Sequence, residues 1–426
     1  MHAIHKILAN HAGLDRVEPG QIVQASPDYV MLHDRGIARV RSRFEQMTAT
    51  QVVHPDKVIV VFDHFYPPPR PQDADSQRIS RKWREQQGIE KFYPGEGIAH
   101  VIMPEKGYAF PGALIVGSDS HTTTNSALGC AAMGLGHSDL ASLLALGSIW
   151  LRVPEVLKIH VHGYLQPWTT AKDIILSIVG RYGEDAALGR AVEFSGPTIS
   201  SMGMDGRLTL TNLAVDIGAK TGYIPHDDIA WQWMEGRREK ALCAPQTTDS
   251  EDDFAEVIDL DVSDLQPLVA RPHNLSLVSA ARELGDIKVD EAVLGTCTNS
   301  RLDDFRQAAA MVEGKKVASH TRFVVNPGSV EVYRAATQAG YIDALVTAGA
   351  IIGTPGCGPC GGCQLGMLGS GEVAISSSSR NFRGRMGSPD SGIYVGSAAS
   401  VAATAVRGYI TDPRDAANGT QEAKPA

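Results

Sequence analysis

Residues 353–363 read GTPGCGPCGGC, and few folds accommodate such a stretch. Two prolines and five glycines exclude a continuous helix or strand there and let the backbone approach another group closely. Cys357 and Cys360 stand at the spacing that sets two thiolates on one centre. The preceding Ala350-Ile351-Ile352 predicts the end of a buried strand. A second loop, Gly295-Thr296-Cys297-Thr298-Asn299-Ser300, follows another apolar run, Ala292-Val293-Leu294. The pattern predicts an α/β fold in which Cys297, Cys357 and Cys360 meet at the carboxyl ends of parallel strands, where such sheets bind ligands. Three readings of the cysteines stand at this point. They form a zinc knuckle or a redox pair, or they hold a [4Fe–4S] cluster with three thiolates, which leaves one iron open as a Lewis acid.

A chain of 426 residues predicts two or three domains. We place them at 1–155, 156–268 and 269–415, with a disordered tail at 416–426. Six cysteines in a chain of this length are no disulfide framework, and their place in loops predicts a reducing compartment, the cytoplasm. The first apolar run is too short for a signal peptide, and no stretch has the length of a membrane span. A net charge of −9 argues against a nucleic-acid partner and requires a local Arg/His cluster for any anionic substrate.

Along the chain, Ile4 to Ala12 predicts an amphipathic helix stopped by Gly13. Tyr29 to Leu32, Lys57 to Phe62 and Ala113 to Val116 predict strands. The second is β-branched without alternation and therefore covered on both faces. Each strand runs into a histidine with an acid close by: His33-Asp34, Asp63-His64 and Asp119-Ser120-His121. A single histidine after a strand is usually structural, but three predict one convergent polar site suited to proton transfer. His100 lies in a glycine-bounded turn at 95–100. Residues 127–146 predict one packed helix, and Asp73 to Gln87 a polar one. Asp205 to Ile217 predicts a helix with Asn212 and Asp216 on one solvated face. Ser379-Arg380-Asn381-Phe382-Arg383-Gly384-Arg385 follows a strand at 372–376. Its arginines read either as ordinary surface residues or as a bidentate clamp for carboxylates.

GSDSHTTTNSALG, GTCTNS, CGPC and SRNFRGRMG occur in the order and spacing of the aconitase superfamily, and the chain resembles its two-subunit branch, of isopropylmalate dehydratase type, over nearly its whole length. The resemblance implies three α/β/α domains around a central cluster site. It implies a [4Fe–4S] cluster on Cys297, Cys357 and Cys360, and acid/base and orienting roles for Asp63, His64, His100, Asp119, Ser120, His121 and Asp216. It implies substrate contacts from His33, Asn212, Ser379, Arg380 and Arg385. Nothing after Arg385 has room for the swivelling domain that carries the family's serine base. A separate small subunit is therefore expected, in a heterodimer or heterotetramer.

The implied activity is a hydro-lyase for a small hydroxy di- or tricarboxylic acid. The first candidate is 3-isopropylmalate; citramalate or citraconate, maleate, dimethylmalate and homoaconitate are alternatives. A cluster-loss RNA-binding sensor and an electron carrier using Cys363 as fourth ligand are the rival classes. Three departures bear on the substrate. Asp216 stands where the family usually has Glu, Ser379 where it usually has Asn, and Cys363-Gln364 where a small residue and His are common.

Overall fold

The computed structural model describes residues 1–362 and 364–417; the expectations for Cys363 and for 418–426 lie outside them. Two compact units are present. The first comprises Met1–Gly95, Ala99–His162 and Ala187–Leu260, and the second Glu96–Ile98, Gly163–Ala186 and the chain from Asp261 on. Among the described residues no helix is long and apolar enough to cross a membrane.

The first unit contains a five-stranded parallel sheet. Its strands are β1 (Tyr29–His33), β2 (Val58–Phe62), β3 (Lys91–Pro94), β4 (Leu114–Gly117) and β5 (Ala131–Gly134), in the order β3-β2-β1-β4-β5. The uniform apolar run of β2 has a direct structural cause. Val58, Val60 and Phe62 enter one hydrophobic core, while Ile59 and Val61 enter another on the opposite face. In β1, Val30 and Leu32 divide from Met31 in the same way. Both faces are covered, so no polar alternation is possible. The strand order reverses between β1 and β4, and at such a switch point the two chains leave the sheet in opposite directions and open a crevice. A four-stranded sheet, Thr221–Tyr223, Ala191–Ser195, Val156–His162 and Glu256–Asp261, belongs to the same unit.

The second unit is built on a seven-stranded sheet. Its strands are β6 (Leu268–Ala270), β7 (Val278–Ala280), β8 (Glu291–Leu294), β9 (Arg322–Val325), β10 (Ile351–Ile352), β11 (Val373–Ser376) and β12 (Gly392–Val395), in the order β7-β6-β12-β11-β8-β9-β10. From β12 to β10 all neighbours are parallel, while β6 pairs antiparallel with β7 and β12. This sheet has its own switch point, between β8 and β11.

Several expectations need correction. Residues 127–146 are not one helix. Gly129 takes a left-handed φ of 69°, Ala131–Gly134 becomes β5, and the helix starts only at His137. The Ala/Gly-rich run has no 3.6-residue periodicity to sustain a helix across that turn. The predicted helix 205–217 is an α-helix, Met204–Leu213, tightening into a 3₁₀ turn at Ala214–Ile217, and its Asn212 and Asp216 side chains are buried rather than solvated. Ile351–Ile352 is a two-residue edge strand with Ile351 half exposed, not a buried strand. His100 lies in the first turn of a helix, Ala99–Glu105. The tail expected from 416 starts no earlier than 417, because Ala416 closes a short helix, Pro413–Ala416, capped by Asp412.

Candidate active site

In the first unit the carboxyl ends of β1, β2 and β4 deliver His33, Asp63-His64 and the segment from Ser118 to His121. Asp119 is the centre of the arrangement. Its Oδ1 accepts from the His121 backbone N–H at 2.8 Å and lies 3.0 Å from His100 Nε2, and its Oδ2 lies 3.6 Å from His64 Nε2 and 3.8 Å from His33 Nε2. Burial opposes a charge on Asp119, but the facing His100 and its hydrogen bond hold the carboxyl well below the ordinary range. His121 Nε2 meets Asp216 Oδ2 at 3.1 Å, and Asn212 Nδ2 donates to Thr124 Oγ1 at 2.8 Å. Ser120 Oγ lies 3.5 Å from His121 Nδ1.

Two stacked imidazoles, His33 and His64, have ring centres 4.4 Å apart and opposite protonation. His33 caps the helix Asp34–Gln46, its Nδ1 accepting from the Gly36 N–H at 3.2 Å. The proton therefore resides on Nε2, which donates to the Ser118 carbonyl at 3.1 Å. Burial, reinforced by the charge on His64, pushes His33 down to about 4, so it is neutral. Burial alone would also lower His64. Three carboxylates reverse that: Asp63, hydrogen-bonded to Nδ1 at 2.7 Å, then Asp34 and Asp119 push it up to about 10. His64 is an imidazolium at neutral pH. Asp63 also accepts the Ala99 N–H at 2.8 Å and stays ionised against burial because His64 faces it. Asp34, which sequence reasoning left out of the site, accepts the backbone N–H groups of His64 and Phe65. Burial and the neighbouring Asp63 raise its carboxyl. Its signal was its place directly after His33.

The second unit gathers the cysteines. Cys297 follows β8 through Gly295 at φ 142° and Thr296 at φ 71°. Cys357 directly precedes the short turn Gly358–Gly361 after β10, and Cys360 lies within it. All three are buried, and none is in a disulfide. Arg385 donates from its guanidinium to Cys360 Sγ at 3.4 Å. Two cations that the sequence did not reveal hold the loops. Arg301 donates to the carbonyls of Thr298 at 2.8 Å and Cys297 at 3.1 Å. Lys172, fully buried, donates to Asn299 Oδ1 and to the carbonyls of Ser377 and Ser378 at 3.2, 2.9 and 2.7 Å. It thereby ties the loop after β8 to the loop after β11. Ser379 is buried, and Arg380 is partly exposed.

The donor set fits an iron–sulfur cluster. Three buried thiols come from two strand-end loops with a guanidinium beside one of them. Among the described residues the buried hydroxyls of Thr296, Ser300, Ser378 and Ser379 have no hydrogen-bond partner, nor has either side-chain polar atom of Asn326. Buried polar groups are rarely left so, and unpartnered groups in the loops after β8, β9 and β11 suit a bound anionic group.

The model of the aconitase family (aconitate hydratase) matches residues 5–408. The probable 3-isopropylmalate dehydratase large subunit of Methanothermobacter thermautotrophicus is 44% identical over 415 residues, 97% of this chain and 99% of that one. A 3-isopropylmalate dehydratase large subunit of Pyrococcus furiosus is 41% identical over 420 residues, again 97% and 99% of the two chains. The probable methanogen homoaconitase large subunit of M. thermautotrophicus is 40% identical over 425 residues, 98% and 99%.

Proposed function

The chain belongs to the aconitase family and is a hydro-lyase; from that premise we propose that it is the large subunit of a two-subunit [4Fe–4S] enzyme that dehydrates and rehydrates a small hydroxy di- or tricarboxylic acid, with 3-isopropylmalate the leading substrate. The observation that carries the proton chemistry is the charged His64 held by Asp63. Cys297, Cys357 and Cys360 would hold the cluster, which when bound supplies a Lewis acid for the substrate's oxygens.

In this reading the protein's own groups divide the remaining work. His64 gives its proton to the departing hydroxyl, a role worth about 10²–10⁴ in rate. Asp63 fixes the ring and keeps it charged. Asp119 aligns His100 and His121, and Asp216 orients His121 from the other side. Arg380 and Arg385 take the substrate carboxylates, with Ser379, Asn212 and the neutral His33 as polar neighbours. Ser120 belongs to the same proton network. A separate small subunit supplies the base for the carbon acid and reads the side group, giving a heterodimer or heterotetramer. We keep three domains, 1–155, 156–268 and 269–415, as part of this reading; it is supported by three large sheets whose strands come from successive stretches of chain.

Homoaconitate is the second substrate reading, favoured by the identity to a probable homoaconitase large subunit. The test is turnover of a panel of acids by the anaerobically reconstituted chain with its small subunit. Highest kcat/KM on 3-isopropylmalate is expected. A preference for homoaconitate moves the assignment, and no turnover of any member overturns it.

A further inference from the structure

Asn326 follows β9, the strand between the two that lead into the cysteine loops. Its backbone N–H continues the ladder to the Leu294 carbonyl at 2.8 Å, which fixes its position beside Gly295. Its side chain is fully buried, and among the described residues neither Oδ1 nor Nδ2 has a hydrogen-bond partner.

Three glycines make room for it. A Cβ on Gly295 would come within 2.7 Å of the Asn326 carbonyl oxygen. One on Gly353 would lie 2.2 Å from Oδ1, and one on Gly358 would lie 2.4 Å from Nδ2. Gly295 precedes Cys297 by two residues, and Gly358 directly follows Cys357. The residue is thus enclosed by both cysteine loops, its backbone beside Gly295 and the N–H₂ end of its amide at the CxxC turn. A residue serving only to fill this space would be apolar, because a buried amide without partners is costly.

We propose that Asn326 is a hydrogen-bond donor to the sulfur atoms gathered at Cys297, Cys357 and Cys360, a positioning residue that sets the cluster's reduction potential and retains its iron. The inference rests on the cluster reading above. Hydrogen bonds to cluster sulfurs withdraw negative charge and raise the potential. Outer-shell partners of this kind typically change metal affinity about 10–100-fold.

The test compares wild type with Asn326→Val, which removes the donor, and Asn326→Ser, which keeps a shorter one. Each is reconstituted anaerobically with iron and sulfide, with circular dichroism as the control for folding. Midpoint potential by electron paramagnetic resonance and the iron concentration for half-reconstitution are the readouts. The Val variant should show a more negative potential and require about 10–100-fold more iron; the Ser variant should fall between it and wild type. If the Val variant does not fold, a lowered potential in the Ser variant alone carries the proposal. Unchanged potential and iron demand in folded variants overturn it and leave the cluster reading standing. Lower thermal stability with unchanged potential also overturns it and leaves the amide a structural role only. A wild-type chain that takes up no cluster overturns the cluster reading itself.

Discussion

The His/Asp group of the first unit and the cysteine loops of the second differ in how far the protein alone completes them. In the first, almost every polar atom is paired with another protein group. Asp119, Asp63 and Asp34 each accept from backbone N–H groups or imidazoles, and the unpartnered His100 Nδ1 is the exception among the described residues. In the second, backbone carbonyls are held by Lys172 and Arg301, yet among the described residues four buried hydroxyls and one buried amide are unpartnered. The His/Asp group is therefore held by the polypeptide itself, whereas the cysteine region keeps unpartnered polar side chains among the described residues, as the proposed cluster would require.

The largest effect expected from this contrast is at the thiols. Replacing Cys297, Cys357 or Cys360 by Ser should abolish cluster absorbance after reconstitution, while Cys363→Ser should keep it. Loss of the cluster in the Cys363 variant would favour a four-thiolate electron carrier instead.

Next in size is Asp63→Asn. It removes the hydrogen-bonded anion that outweighs burial at His64. The high-pH limb of kcat/KM, set by loss of the His64 proton near pH 10 in wild type, should move down by about 1–3 pH units. The linkage has the same sign. His64 has a folded value raised from 6.5 to about 10, so its contribution to stability is fully present below pH 6.5 and is lost as pH rises through about 10. Urea unfolding from pH 6 to 10 should show that decline in wild type and a shallower one in Asp63→Asn. An unmoved limb would remove His64 from the acid role.

Lys172→Met is expected to cost about 1–3 kcal/mol, because it leaves buried carbonyl oxygens unsatisfied. Denaturant midpoints measure it, and slower cluster reconstitution should accompany it. The last effect is one of selectivity rather than of overall activity. Asp216→Glu lengthens the carboxylate that meets His121 at 3.1 Å. It should reorder kcat/KM among the candidate acids by about 1–3 kcal/mol, the scale of one methylene. Uniformly altered rates with an unchanged order would leave selectivity to the small subunit.

Legibility in the sequence followed the same division. Strand β2 and the histidines at three strand exits were readable, because an unbroken β-branched run and a repeated His/acid ending are local signals. Burial of Asn212 and Asp216 was not, because what covers them, the turn Ser120–Leu128, lies far away in sequence and spacing cannot reveal a partner. The break at Gly129 was missed because a packed Ala/Gly helix and a turn followed by a short strand look alike in composition. Lys172 and Arg301 carried no warning, since a cation in a polar context reads as surface until the fold buries it. Asn326 gave a faint signal, a polar residue between an apolar strand and Pro327-Gly328-Ser329.

The most direct test of the central claim is amide hydrogen exchange on the chain before and after anaerobic reconstitution with iron and sulfide. The account predicts that protection rises most in 295–301, 326–329, 353–362 and 377–386, and much less at 63–64 and 118–121, which are already held by protein partners. No gain in the cysteine loops, or a gain of equal size at the His/Asp group, would contradict it.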